Sequence, residues 1–114
     1  MSDAVDKAQL LESIDSDLAF LADALQVYNE DCPQLLSQMR SALTRQDNAT
    51  LEDAAHTLKG LLSNLAAYPA VEAALKLEAM ASCGELSGAE NAIAVLENES
   101  LRVKVALEEM LRQD

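Results

Sequence analysis

The chain has 114 residues and a single histidine, His56, set in Ala55-His56-Thr57-Leu58-Lys59-Gly60. A neutral imidazole is a good nucleophile toward an acyl phosphate, and the phosphoramidate that forms is reactive enough to pass the group onward. Lys59 follows three residues later, one helical turn away, where an ammonium can offset charge on phosphoryl oxygens. Gly60 costs about 1 kcal/mol in a helix interior relative to alanine. Its place beside the imidazole therefore points to close approach, either by another protein or by a crossing helix of the same chain. Taken together, these residue types at these spacings suit phosphoryl transfer.

At about 100° per residue, Glu52, Asp53, Lys59, Gly60, Ser63 and Ala67 share a helix face with His56, while Leu58, Leu61, Leu62 and Leu65 point away. The imidazole is expected in solvent. Reflection through the Ala67-Tyr68 turn sets Glu78 level with His56 on the adjoining antiparallel helix. A carboxylate there can accept from Nδ1 and leave Nε2 as the nucleophile. The plain alternative for Glu78 is a solvated helix glutamate.

The elements that must position this face are read from periodicity and punctuation. Leu and Ala dominate, with three aromatics (Phe20, Tyr28 and Tyr68), three glycines and two prolines, a mixture that favours helix over sheet. A short helix from about Asp3 to Leu11 is expected to pack across one end, followed by a capping cluster at Asp15-Ser16-Asp17. Leu18, Leu21, Leu25, Tyr28, Cys32, Leu35, Met39 and Ala42 form one stripe that runs through Pro33, so the proline should bend this helix and not end it, the alternative being two helices that meet at Asp31-Cys32-Pro33.

Asp47-Asn48 starts the helix that carries His56, with Leu51, Ala55, Leu58, Leu62 and Leu65 as its buried stripe. Tyr68-Pro69 marks the next boundary, and a helix from about Pro69 to Ser82 stops at Gly84. Ser87 and Glu90 have capping-box spacing ahead of a last helix with Ile93, Leu96, Ser100, Val103, Leu107 and Met110. Four long helices with short links predict an all-α, antiparallel up-down bundle with a short extra N-terminal helix, in one domain over residues 1–114.

At these residues the chain resembles the histidine-containing phosphotransfer (HPt) domain family of two-component phosphorelays. The resemblance rests on the A-H-x-L-K-G core, on Ser63-Asn64-Leu65, and on Leu77-Glu78, where the family often has an aliphatic residue before Gln or Glu. Asp17-Leu18-Ala19-Phe20-Leu21, Cys32-Pro33-Gln34-Leu35-Leu36, and Ala42-Leu43 ahead of Asp47 extend it over nearly the whole chain. It implies that His56 is phosphorylated, that Lys59 assists, that Gly60 clears the approach and that Glu78 holds the ring. It further implies exchange with receiver-domain aspartates or a hybrid sensor kinase, with Mg²⁺ on the receiver and no cofactor or metal on this chain. The sequence departs from the family pattern at Leu61 and Leu62, where small residues are usual, and at Ala66, where glycine is usual.

Other classes fit less well. A net charge of -12, from 20 acidic and 8 basic residues, disfavours nucleic acid and anionic lipid. Within that field Arg40, Arg45 and Lys59 are local cations. The opening Met1-Ser2-Asp3-Ala4 lacks a leader's basic and apolar runs, and no stretch reaches bilayer length, so a cytoplasmic protein is expected. Met1 and a final helix that nearly reaches the C-terminus fit a free-standing protein, taken to be a monomer. Cys32 and Cys83 lack CxxC spacing and read as small buried hydrophobes.

Asp53-Ala54-Ala55-His56 has the carboxylate-x-x-His spacing of di-iron bundles, but such a centre needs two of these motifs and the chain has one histidine. No nucleophile elbow and no phosphate-cradling glycine loop occurs, which argues against a hydrolase or a kinase. A bundle that docks on receivers without carrying phosphate is the alternative function, and a purely structural bundle comes third.

Overall fold

Five sets of start and stop signals give five helices in residues 3–112, the part of the chain described by the computed structural model. Met1 and Ser2, part of the segment read for a leader, lie outside it. Helix α1 spans Lys7–Ser13, and the Asp6 carboxylate caps it by accepting from the Gln9 N–H at 3.1 Å. That cap is why the helix begins after Asp3; at the other end the Ile14 N–H bonds back to the Leu10 and Glu12 carbonyls, so it outlasts Leu11. The Asp6 N–H donates to the Ala66 carbonyl at 2.9 Å, so α1 is tied to the turn between the third and fourth helices, across one end of the molecule.

Helix α2 is unbroken from Leu18 to Thr44, 27 residues with Pro33 inside. Proline removes one backbone bond and crowds the Asn29 carbonyl; packing onto the last helix compensates. Tyr28 is buried and its hydroxyl donates to the Ser100 carbonyl at 2.7 Å. Arg40 makes paired bonds to Glu97 at 2.9 and 2.7 Å and reaches Glu90 at 3.3 Å. Cys32 is buried and its thiol is pushed up by that burial, so it stays protonated and unreactive. Cys83 does not share this fate. As the last residue of its helix it faces outward and is exposed.

Helices α3 (Asn48–Asn64), α4 (Tyr68–Cys83) and α5 (Ala89–Arg112) complete the set. Pro69 sits in the first turn of α4, and Gly84 ends it with φ of 72°, the left-handed position where glycine carries no Cβ penalty. The expected capping box at Ser87 does not form. Glu85 captures both the Ser87 hydroxyl at 2.6 Å and its N–H at 3.2 Å, Glu90 turns to Arg40, and the first bond of α5 runs from Ala92 to the Gly88 carbonyl.

Helices α2 and α4 each pack on α3 and on α5. The result is an all-helical four-membered ring, antiparallel because the links at 45–47, 65–67 and 84–88 are short. Its core is aliphatic, with Leu21, Met39, Leu58, Leu77, Ile93 and Leu107 fully covered.

Candidate functional site

The phase of α3 is set at its start. Asp47 accepts from the Thr50 N–H at 3.1 Å and from its hydroxyl at 2.7 Å, and these bonds hold its carboxyl below the usual range. With the first turn fixed, Leu51, Ala54, Ala55, Leu58 and Leu62 go into the core. His56 is then carried to the outside, where its side chain is 66% exposed. Glu52, Asp53, Lys59, Gly60 and Ser63 also fall on the outer or partly covered side.

Helix α4 buries mostly small side chains, Ala70, Ala74 and Ala81 with Leu77, and small contacts allow helix axes to lie close. Glu78, next to Leu77, is brought to the α3 side. Its Oε2 lies 2.8 Å from His56 Nδ1 and its Oε1 accepts from Lys59 Nζ at 2.7 Å. The three side chains grade from water inward, 66% exposed for His56, 25% for Lys59 and 18% for Glu78.

Lys59, and secondarily the ring, hold the Glu78 carboxyl below its usual value, so it is charged at neutral pH and can only accept. The Nδ1 nitrogen therefore carries the proton in the neutral ring, an assignment made from the hydrogen bond, and the lone pair is on Nε2. The arrangement is an exposed nucleophilic nitrogen, oriented from behind by a carboxylate and flanked by an ammonium.

One detail of the surrounding surface differs from the helix projection. Ala67 is fully buried and stands at the N-cap position of α4. Because α3 ends at Asn64, the 100° phase does not extend to it. Leu61 points away from His56 as expected but is only half-buried: it packs against the core and, with Phe20, Val27 and Asn64, lines a groove of about 210 Å³ between α1, α2 and α3.

Gly60 meets the expectation of clearance directly, since a Cβ built there would find nothing within 4 Å. No crossing helix of this chain needs it. At the other two family departures, Leu62 is fully covered and Ala66 is held at φ of 54°, a left-handed conformation that costs a non-glycine residue about 1–2 kcal/mol.

The lysine's bond to Glu78 was not expected from the sequence. The same reflection that sets Glu78 beside His56 brings it within reach of a residue one turn further along, so the signal was present. Among the described residues, no group of three or more His, Cys, Asp or Glu is placed to hold a metal ion, and no helix is long and apolar enough to cross a membrane.

Comparison with known proteins adds three findings. The family description "Hpt domain" matches residues 23–113. The chain is similar to the crystal structure of histidine-containing phosphotransfer protein B (HptB) from Pseudomonas aeruginosa PAO1, with a TM-score of 0.79 and 25% sequence identity over 98% of this chain and 96% of that one. A search of curated proteins finds no match.

Proposed function

Because this chain belongs to the Hpt domain family and is a histidine phosphotransfer protein of a phosphorelay, we propose that His56 is the residue that carries the phosphoryl group. The observation that supports this assignment is the exposed imidazole with Nδ1 bonded to Glu78. In this reading Nε2 attacks the phosphorus of a receiver's aspartyl phosphate, the aspartate oxygen leaves with the bonding pair, and the reverse reaction delivers the group to another receiver. Lys59 offsets charge on the phosphoryl oxygens, Gly60 lets the partner approach, and Glu78 holds the ring in its tautomer.

The protein is a phosphocarrier that works with receiver domains and kinases of the relay. Transfer, we infer, requires such a partner. The partner supplies the Mg²⁺, and this chain, acting as a cytoplasmic monomer, holds no cofactor. Gly60 and Ser63 form the shallow part of the docking surface. The groove at Phe20, Val27 and Leu61 extends it, and Phe20 is 57% exposed.

The test is incubation with a phosphorylated receiver domain followed by intact mass measurement. The expected result is one phosphoryl group on this chain, base-stable and acid-labile, and absent from His56→Gln. Binding without transfer would favour a docking module that carries no phosphate. Retention of transfer in His56→Gln would remove the assignment.

A further inference from the structure

Among the described residues, Glu78 is the one side chain bonded at once to the ring and to its neighbouring cation, with Oε2 on Nδ1 and Oε1 on Lys59 Nζ. Orienting a neutral ring requires only an acceptor, and an uncharged amide oxygen would do. A full negative charge has a further consequence that appears once the ring carries phosphate.

When Nε2 donates its lone pair to phosphorus while Nδ1 keeps its proton, the ring becomes an imidazolium. From that form, cleavage of the Nε2–P bond returns the electron pair to Nε2 and releases neutral imidazole. If Nδ1 loses its proton, the same cleavage must expel imidazolate, a far poorer leaving group, and the phosphoryl group is trapped.

We propose that Glu78 holds the Nδ1 proton on phosphorylated His56, keeping the phosphoryl group on an imidazolium and so ready for onward transfer at neutral pH and above. This rests on His56 being the phosphorylated residue. The balance is complete without solvent. In loading, Nε2–P forms and the aspartyl O–P bond breaks. In unloading, an acceptor carboxylate oxygen bonds phosphorus and Nε2 takes back its pair. The Nδ1 proton stays in the Nδ1···Oε2 hydrogen bond throughout, and the ring's positive charge is matched by the carboxylate 2.8 Å away.

Lys59 completes the scheme as a cation with two stations. In the unphosphorylated protein it is on Glu78 Oε1. The phosphoryl oxygens on the adjacent ring offer it a second anion, and movement toward them leaves the carboxylate's charge to the ring alone. The other charged groups of α4, the helix that carries Glu78, are Glu72 and Lys76, both exposed. On α3 they are Glu52 and Asp53, one turn before it, both negative and working in the same sense. On α2, the other helix packed on α3, Arg40 is engaged with Glu97 and Glu90 of α5 and Arg45 with Asp47 at the turn.

The experiment phosphorylates the purified chain with phosphoramidate and follows Nδ1 and the phosphoryl group by nitrogen and phosphorus NMR across pH, beside a measurement of phosphoryl transfer to hydroxylamine over the same range. An opposite charge in contact moves a titration by about 1–3 units. The protonation midpoint of the phosphorylated ring should accordingly fall by about one unit or more in Glu78→Gln, about tenfold in proton affinity. Transfer in that variant should fade at correspondingly lower pH.

Glu78→Asp should recover part of the shift, and Lys59→Gln should keep it. Equal midpoints in the wild type and Glu78→Gln would overturn the proposal, because Glu78 would then orient the ring and do no more. Absence of any phosphohistidine signal from wild-type His56 would overturn it together with the assignment of His56, an outcome distinguished by the missing resonance itself.

Discussion

Gly60→Ala should make this protein more stable and a worse phosphocarrier. The glycine lies inside α3, and a Cβ there meets nothing within 4 Å, so the substitution recovers helix propensity of about 0.8–1 kcal/mol with no steric cost. At about 2.1 cal/mol/K of unfolding entropy per residue, 1 kcal/mol in a chain of this length raises Tm by about 4 °C. The open space belongs, in the proposed function, to the docked partner. Placing one methyl in a closely packed contact costs about 1–3 kcal/mol, or about 5- to 150-fold in kcat/KM for transfer from a phosphorylated receiver. Thermal unfolding and rapid-quench transfer on the same preparation measure both effects. A rise in Tm with unchanged transfer would refute the idea that a partner approaches over Gly60. A fall in Tm would refute the reading that the space beside it is empty.

Three further outcomes are expected. Tyr28→Phe leaves the Ser100 carbonyl without its buried donor and should cost about 1–2 kcal/mol in urea unfolding, with transfer activity unaffected. Arg40 holds the Glu97 carboxyl below its ordinary value of 4.5, so the pair's contribution is present above that pH and lost as pH falls through the depressed value; the Tm difference between wild type and Glu97→Gln should shrink toward zero in acid, and a constant difference would contradict it. Gln46, exposed and held at φ of 56°, should gain about 0.5–1 kcal/mol on replacement by glycine, the released strain outweighing the added chain entropy; calorimetry decides it.

The elements and the site were legible wherever a residue lies inside a helix. The stripe through Pro33, four of the five buried positions of α3 (Leu51, Ala55, Leu58 and Leu62, with Ala54 missed) and six of the nine of α5 follow from spacing alone, and the reflection that pairs His56 with Glu78 works because Asp47 and Pro69 fix where both helices begin. The misreadings cluster at helix ends. Ala67, Cys83 and Ser87 all lie at or beyond a terminus, where the 100° phase lapses and local bonds decide, as Glu85 does for Ser87. Ala66 and Gln46 adopt left-handed backbone without being glycine, a cost borne by neighbouring packing that no propensity records.

His56 lies at the midpoint of α3, with eight residues on either side between Asn48 and Asn64. End fraying, the cheapest motion open to a helix, dies out before it reaches this residue. A centre mounted at mid-helix does not depend on a frayed end for its position. In the proposed function, the tempo of exchange is then governed by how often a visitor arrives in register and by the chemistry once it has, and with the imidazole 66% exposed it is the visitor's surface that excludes water.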